Sequence, residues 1–130
     1  MTVVDASLVV DVLLGEPEAV RLHRRLFAGG ASLHAPHLLD LEVLHVLRRF
    51  ERRGILRPSR AAEAVEDLLD LPLTRYPHVA LAGRVWELRG ALTAYDAAYV
   101  ALAEALAAPL LTRDAALASA RGHRARVELV

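Results

Sequence analysis

Residues 92–117 read LTAYDAAYVALAEALAAPLLTRDAAL, and the order of elements inside this stretch decides the fold. Tyr95–Ala107 carries alanine or another apolar residue on nearly every face. Alanine is the best helix former, and a helix apolar all round is expected to be buried. Pro109 stops it, and Leu110–Leu111–Thr112 reads as a short buried strand. Asp96 lies in the first turn of the helix and Asp114 just past the end of the strand. Charge beside so much apolar surface costs free energy unless something pairs with it. Lysine is not that partner, because the sequence contains none.

The same alternation runs through the rest of the chain. Thr2–Val3–Val4 is a β-branched run ending at Asp5, and Ser7–Leu14 reads as a short helix closed by Gly15. Pro17 sits where a first helical residue would, opening a helix to about Ala28 that Gly29–Gly30 ends. Ser32–Leu33–His34 suits a strand before Pro36, and a longer helix runs from about Leu38 to Arg53, with Gly54 as its stop. Pro58–Ser59 opens a helix to Leu71, Leu73–Tyr76 is a candidate strand, and Val79–Leu92 is helical again. After the opening stretch come a helix over Ala115–Ala120 and a strand over Arg126–Val130. Repeated β-α units of this size predict one α/β domain over residues 1–130, a central parallel sheet flanked by helices on both faces.

Composition narrows the function classes. With Lys+Arg at 16 and Asp+Glu at 16, no bulk affinity for polyanions is implied, and 55% hydrophobic content argues against disorder. No segment reads as a leader or a membrane span, and with no cysteine there is neither a disulfide nor a thiolate metal site. The cytoplasm is the default compartment.

Open parallel α/β sheets bind ligands beyond the carboxyl ends of their strands. Asp5 and Asp114 follow two strands, and Glu42 and Asp96 stand near the starts of helices directed by the same rim. Four carboxylates are therefore expected to converge. Like charges that close are unfavourable without a cation. An all-oxygen site suits Mg²⁺ or Mn²⁺ better than zinc. Simpler roles exist for each acid alone. Asp5, Ser7 and Asp114 precede helices and suit N-caps, Thr93 and Asp96 have capping-box spacing, and Glu42 suits a solvated helix face.

The start VVDAS, the segment PHLLDLEVLHVL and the pair TAYDAAYVALAE plus PLLTRD together resemble PIN-domain nucleases, specifically VapC-type toxins of toxin–antitoxin systems. The resemblance covers nearly the whole chain. It implies that Asp5, Glu42, Asp96 and Asp114 are the family's four catalytic, metal-holding acids, with Ser7 and Thr112 as hydroxyls supporting the metal cluster. It further implies a Mg²⁺-dependent endoribonuclease, usually a homodimer, held inactive by a small antitoxin protein.

An RNA substrate must be gripped despite zero net charge. The densest basic run is Arg48, Arg49, Arg52, Arg53, Arg57 and Arg60, in which Arg48, Arg49 and Arg52 are candidate phosphate contacts. Stabilisation of a helix C-terminus accounts for them equally well. Of the six aromatic residues Phe27, Phe50, Tyr76, Trp86, Tyr95 and Tyr99, most read as core. The helix Pro58–Leu71 presents Ala61, Ala62, Val65, Leu68 and Leu69, a stripe that suits either a twofold interface or packing on the sheet. Two rival classes remain, a non-catalytic PIN-like interaction module and a phospho-receiver-type α/β domain. The lack of lysine speaks against the receiver.

Overall fold

Residues 1–15 and 18–130 are described by a computed structural model. Strands β1 (Thr2–Val4), β2 (Leu33–Pro36), β3 (Leu73–Tyr76), β4 (Leu110–Thr112) and β5 (Val127–Leu129) form one parallel sheet in the order β3-β2-β1-β4-β5. The register sets Val3 beside Leu110 and His34, and Val4 beside Leu111. The central strands are short and apolar because both of their faces are covered. Val3, Val4, Ala35 and Leu110 have no exposed surface.

Helices α1 (Ala6–Leu14), α2 (Ala19–Phe27), α3 (Leu38–Arg52) and α4 (Pro58–Asp70) lie on the path from β1 through β2 to β3, and α1 packs with the other three. The chain then recrosses to β4 through α5 (Ala82–Glu87) and α6 (Ala94–Leu106), which pack together, and α7 (Ala115–Ser119) leads to β5. Right-handed crossovers put α1–α4 on one face and α5–α7 on the other. The anticipated all-apolar helix is α6. Every residue from Ala97 to Ala103 is buried, and the helix touches β1, β2 and β4. It ends at Ala107, in the left-handed region at φ 50°, two residues before Pro109.

Three expectations fare differently. The start of α2 at Pro17 lies outside the described residues. The single helix expected over Val79–Leu92 is instead a 3₁₀ turn at Val79–Leu81 followed by the short α5. The regular helix stops at Glu87, where the Leu88 N–H is shared between the Arg84 and Val85 carbonyls, the Arg89 N–H bonds three residues back to Trp86, and residues 88–91 continue as turns. Finally, the α4 stripe is divided between interior and surface, with Val65 half-buried. Ala61, Ala64 and Leu68 are buried where α4 meets α1 and α3, and Ala62 and Leu69 are left outward.

Candidate active site

The chain turns one way after β1 and the other way into β4, so the gap between the carboxyl ends of these two strands is the sheet's switch point, where α/β proteins place their ligands. Asp5 follows β1 directly and is only 5% exposed. Its Oδ1 accepts from the Ser7 hydroxyl at 2.7 Å and from the Leu8 N–H at 3.0 Å, which makes it the N-cap of α1. Its Oδ2 accepts from the Thr112 hydroxyl at 2.5 Å. Thr112 has no exposed surface, and its Oγ1 also accepts from the Asp114 N–H at 2.9 Å. Ser7 lies 3.5 Å from Thr112, and its oxygen takes the Arg113 N–H at 3.1 Å. Both hydroxyls singled out in the sequence therefore hold Asp5 in one orientation.

The remaining acids reach this point from different elements. Asp114 is exposed and caps α7, accepting from the N–H groups of Ala116 at 2.8 Å and Leu117 at 3.3 Å. Its capping role is real, yet it uses Oδ1 alone. Asp96 sits in the first turn of α6, where Thr93 is the cap and accepts from the Asp96 N–H at 3.2 Å. No hydrogen bond among the described residues engages the Asp96 carboxylate. Glu42, half-buried on α3, accepts from the Tyr99 hydroxyl at 2.6 Å.

The electrostatics tie the four together. Burial raises the Asp5 carboxyl above the usual range, the hydrogen bonds from Thr112, Ser7 and Leu8 oppose this, and the Asp114 charge adds to it. Burial also raises Asp96, reinforced by Asp114 and Asp5. Glu42 is raised by burial and by Asp96 and Asp5, against the hydrogen bond from Tyr99. Among the described residues no ion pair involves any of the four acids. Equally, no three acidic or histidine side chains among them form a ready-made cation cage. The result is an open, uncompensated acidic rim. All of its donors are oxygens, which suits a hard divalent ion that keeps several of its waters.

Arg113 fixes the rim from behind. Its guanidinium donates to Asp11 at 2.8 Å, Glu18 at 3.1 Å and the Val130 carbonyl at 2.7 Å, linking the LLTRD turn to α1 and β5. The arginines proposed for RNA are not drawn to the rim. Arg48, Arg49 and Arg52 are exposed on the last turns of α3, the end opposite the rim. Arg60 instead binds the Leu13 carbonyl at 2.7 Å. His34 is buried between Ser32 and Tyr76, each hydroxyl 2.7 Å from a ring nitrogen, in keeping with a structural role.

The sequence of a PIN domain matches residues 2–122 of the chain. This chain belongs to the PIN-domain family. Within that family it is similar to Ribonuclease VapC12 of Mycobacterium tuberculosis, at 39% identity over 100% of this chain and 99% of the relative. It is also similar to Ribonuclease VapC9 of the same species, at 46% identity over 88% of this chain and 86% of the relative. The crystal structure of VapBC2 from Rickettsia felis bound to a DNA fragment from their promoter superposes with a TM-score of 0.71, covering 98% of this chain and 97% of that one at 12% identity. The agreement extends to the fold. It removes the phospho-receiver alternative, whose doubly wound order is 2-1-3-4-5.

Three aromatic residues carry more than their sequence reading as core. Tyr99 read as core, and it is buried, yet its hydroxyl reaches Glu42. Its spacing of three from Asp96 on one helix was the available signal. Trp86 and Tyr95 are 67% and 65% exposed, unlike the other aromatic residues. With Leu38, Leu41, Val85 and Arg89 they line an apolar groove of about 810 Å³ beside the rim.

Proposed function

We propose that this PIN-domain protein is a Mg²⁺-dependent endoribonuclease, the toxin of a type II toxin–antitoxin pair, with Mn²⁺ as an alternative ion. The observation that carries the reading is the cluster of Asp5, Glu42, Asp96 and Asp114 at the switch point, where burial and then the neighbouring acid charges raise Asp5, Glu42 and Asp96, and no base among the described residues pairs with any of the four. The names of its ribonuclease relatives support the substrate class. Asp5, Asp96 and Asp114 would hold the ion, with Glu42 engaging it directly or through water. When bound, the ion lowers the pKa of water and stabilises charge on a phosphate.

The chain's own residues do the rest. Ser7, Thr112 and the Leu8 N–H consume three acceptor positions of Asp5, so its carboxylate meets a ligand in a fixed orientation. The start of α6 adds the positive end of its macrodipole beside Asp96. Arg48, Arg49 and Arg52 offer phosphate contacts to a strand running along α3 away from the rim. Exchanging all three would weaken RNA binding and flatten its salt dependence, because fewer counterions are released.

The test is cleavage of RNA in Mg²⁺ with the product ends mapped. Because water attacks rather than the neighbouring 2′-hydroxyl, the products carry 5′-phosphates and chelation stops the reaction. Cyclic 2′,3′-phosphates, or full activity in a chelator, would overturn the mechanism. A folded chain without any cleavage would favour the interaction-module alternative.

The partners we propose are a small antitoxin that covers the rim and a second copy of this chain, both in the cytoplasm. No helix among the described residues is long and apolar enough to cross a membrane. The copy would meet the groove face rather than α4. Leu41, Trp86 and Tyr95 are 65–71% exposed there, and no acidic residue lines the groove. A patch of that kind needs only self-complementarity to form a twofold interface. Trp86→Glu should make a dimer monomeric by light scattering, and a monomeric wild type at high micromolar concentration would remove the dimer.

A further inference from the structure

We infer that Tyr99 is a positioning residue that holds the Glu42 carboxylate toward the rim. This rests on reading Glu42 as one of the site acids. Tyr99 is 1% exposed and heads the fully buried side chains by size. It stands one helical turn after Asp96 on α6, while Glu42 comes from α3, an element reached by a different crossover. The phenol donates its proton to Glu42 Oε1 at 2.6 Å. One buried hydroxyl thus holds the α3 acid, while its own helix carries Asp96.

The chemistry distinguishes this from ordinary core packing. A buried phenol needs an acceptor, but a backbone carbonyl would serve without binding a charge. A carboxylate acceptor makes the bond charge-assisted and short. Glu42 has three rotatable side-chain bonds on a half-buried helix face, and Tyr99 is the one described residue that hydrogen-bonds it. With Oε1 fixed, Oε2 retains its acceptor capacity for a ligand. Without the phenol, the carboxylate regains its rotamer freedom and must be ordered anew each time a cation or substrate binds. Partners one shell out from a ligand commonly govern affinity in this manner.

The experiment is a Mn²⁺ titration followed through the melting temperature, with kcat and KM measured on a single-stranded RNA. Tyr99→Phe keeps the ring and removes one oxygen. It should bind Mn²⁺ about tenfold more weakly and lose about tenfold in kcat, with KM for RNA unchanged. In a Glu42→Gln background the same exchange should have no further effect on Mn²⁺ affinity, because the partner it orients is gone. Wild-type affinity and kcat in Tyr99→Phe would overturn the role, as would an equal loss in the Glu42→Gln background, which marks a packing effect. Should Tyr99→Phe fail to fold, Glu42→Asp supplies the same test from the other side. It keeps the charge, withdraws it from the phenol and should reproduce the loss, so wild-type affinity there overturns the role. A wild-type chain that neither takes up Mn²⁺ nor cleaves RNA would instead overturn the reading of the site itself.

Discussion

The Thr112 hydroxyl donates to Oδ2 of Asp5 at 2.5 Å, joining the carboxyl ends of β4 and β1 across 107 positions of sequence. The same oxygen accepts the Asp114 N–H, so one hydroxyl orders two of the acids. Thr112→Val keeps the shape but leaves a buried carboxylate oxygen and an N–H without their partner. Such a loss costs about 2–3 kcal/mol. Urea unfolding should show it, with Thr112→Ser close to wild type. A loss under about 1 kcal/mol would mean that water replaces the hydroxyl.

Asp96 is the cleanest probe of repulsion within the rim. Its carboxylate accepts no hydrogen bond from the described residues, and its pKa is raised by burial and then by Asp114 and Asp5. An acid raised in the folded state binds protons more tightly there than in the unfolded chain. It therefore costs stability above its folded pKa, and the cost fades as pH falls through that value. Asp96→Asn should stabilise the metal-free protein at pH 7 by a few tenths to about 1 kcal/mol, discounted for its partial exposure, and abolish cleavage. Mg²⁺ should raise the wild-type melting temperature more than the mutant's. If millimolar Mg²⁺ and Mn²⁺ leave the wild-type melt unmoved, a tight metal site is absent.

Glu104 behaves in the opposite sense. Its side chain is 6% exposed, Arg84 grips it with two hydrogen bonds at 2.8 and 3.0 Å, and the Arg124 N–H adds a third at 2.8 Å. The Arg84 hydrogen bonds chiefly hold its pKa down to about 2, from an ordinary value of 4.5. Its contribution is fully present above 4.5 and is lost as pH falls toward 2. Glu104→Gln should therefore melt well below wild type at pH 6, and the gap should narrow steadily between pH 4.5 and 2. A gap independent of pH would show that shape, rather than charge, governs this contact.

Ala107 is the one described non-glycine residue with a left-handed backbone, at φ 50°. A Cβ in that region costs about 1 kcal/mol, which Gly accepts freely. Ala107→Gly should raise stability by about 0.5–1 kcal/mol in thermal melts, with cleavage unchanged. A destabilised variant would show that the Ala107 methyl makes packing contacts worth more than the backbone strain.

The sheet and the rim were legible because both follow from simple regularities. Short β-branched or leucine-rich runs alternate with helix patterns, and Leu73–Tyr76 and Leu110–Thr112 stand where the residues placed them. Asp5 and Asp114 could be set on one rim because each lies within two residues of the end of such a run. What stayed hidden depends on which way a helix faces. Nothing in the periodicity of residues 79–92 reveals that the regular helix stops at Glu87, or that Trp86 is left in solvent. Tyr99 illustrates the same limit. Burial and a polar contact are compatible in one side chain, and only the packing of α6 against the sheet brings its hydroxyl to α3.

The insertion of β4 beside β1 also dictates when the rim can exist. Val3 and Val4 take Leu110 and Leu111 as neighbours, and the last acid arrives at residue 114. A nascent chain still lacking those residues holds Asp5 without Thr112 to orient it and without Asp114 to complete the cluster. At ~5–20 residues per second, Asp114 is added roughly 5–20 s after Asp5. The four acids are thus a property of the nearly complete fold, and a fragment ending before β4 carries Asp5, Glu42 and Asp96 without the strand that completes their frame.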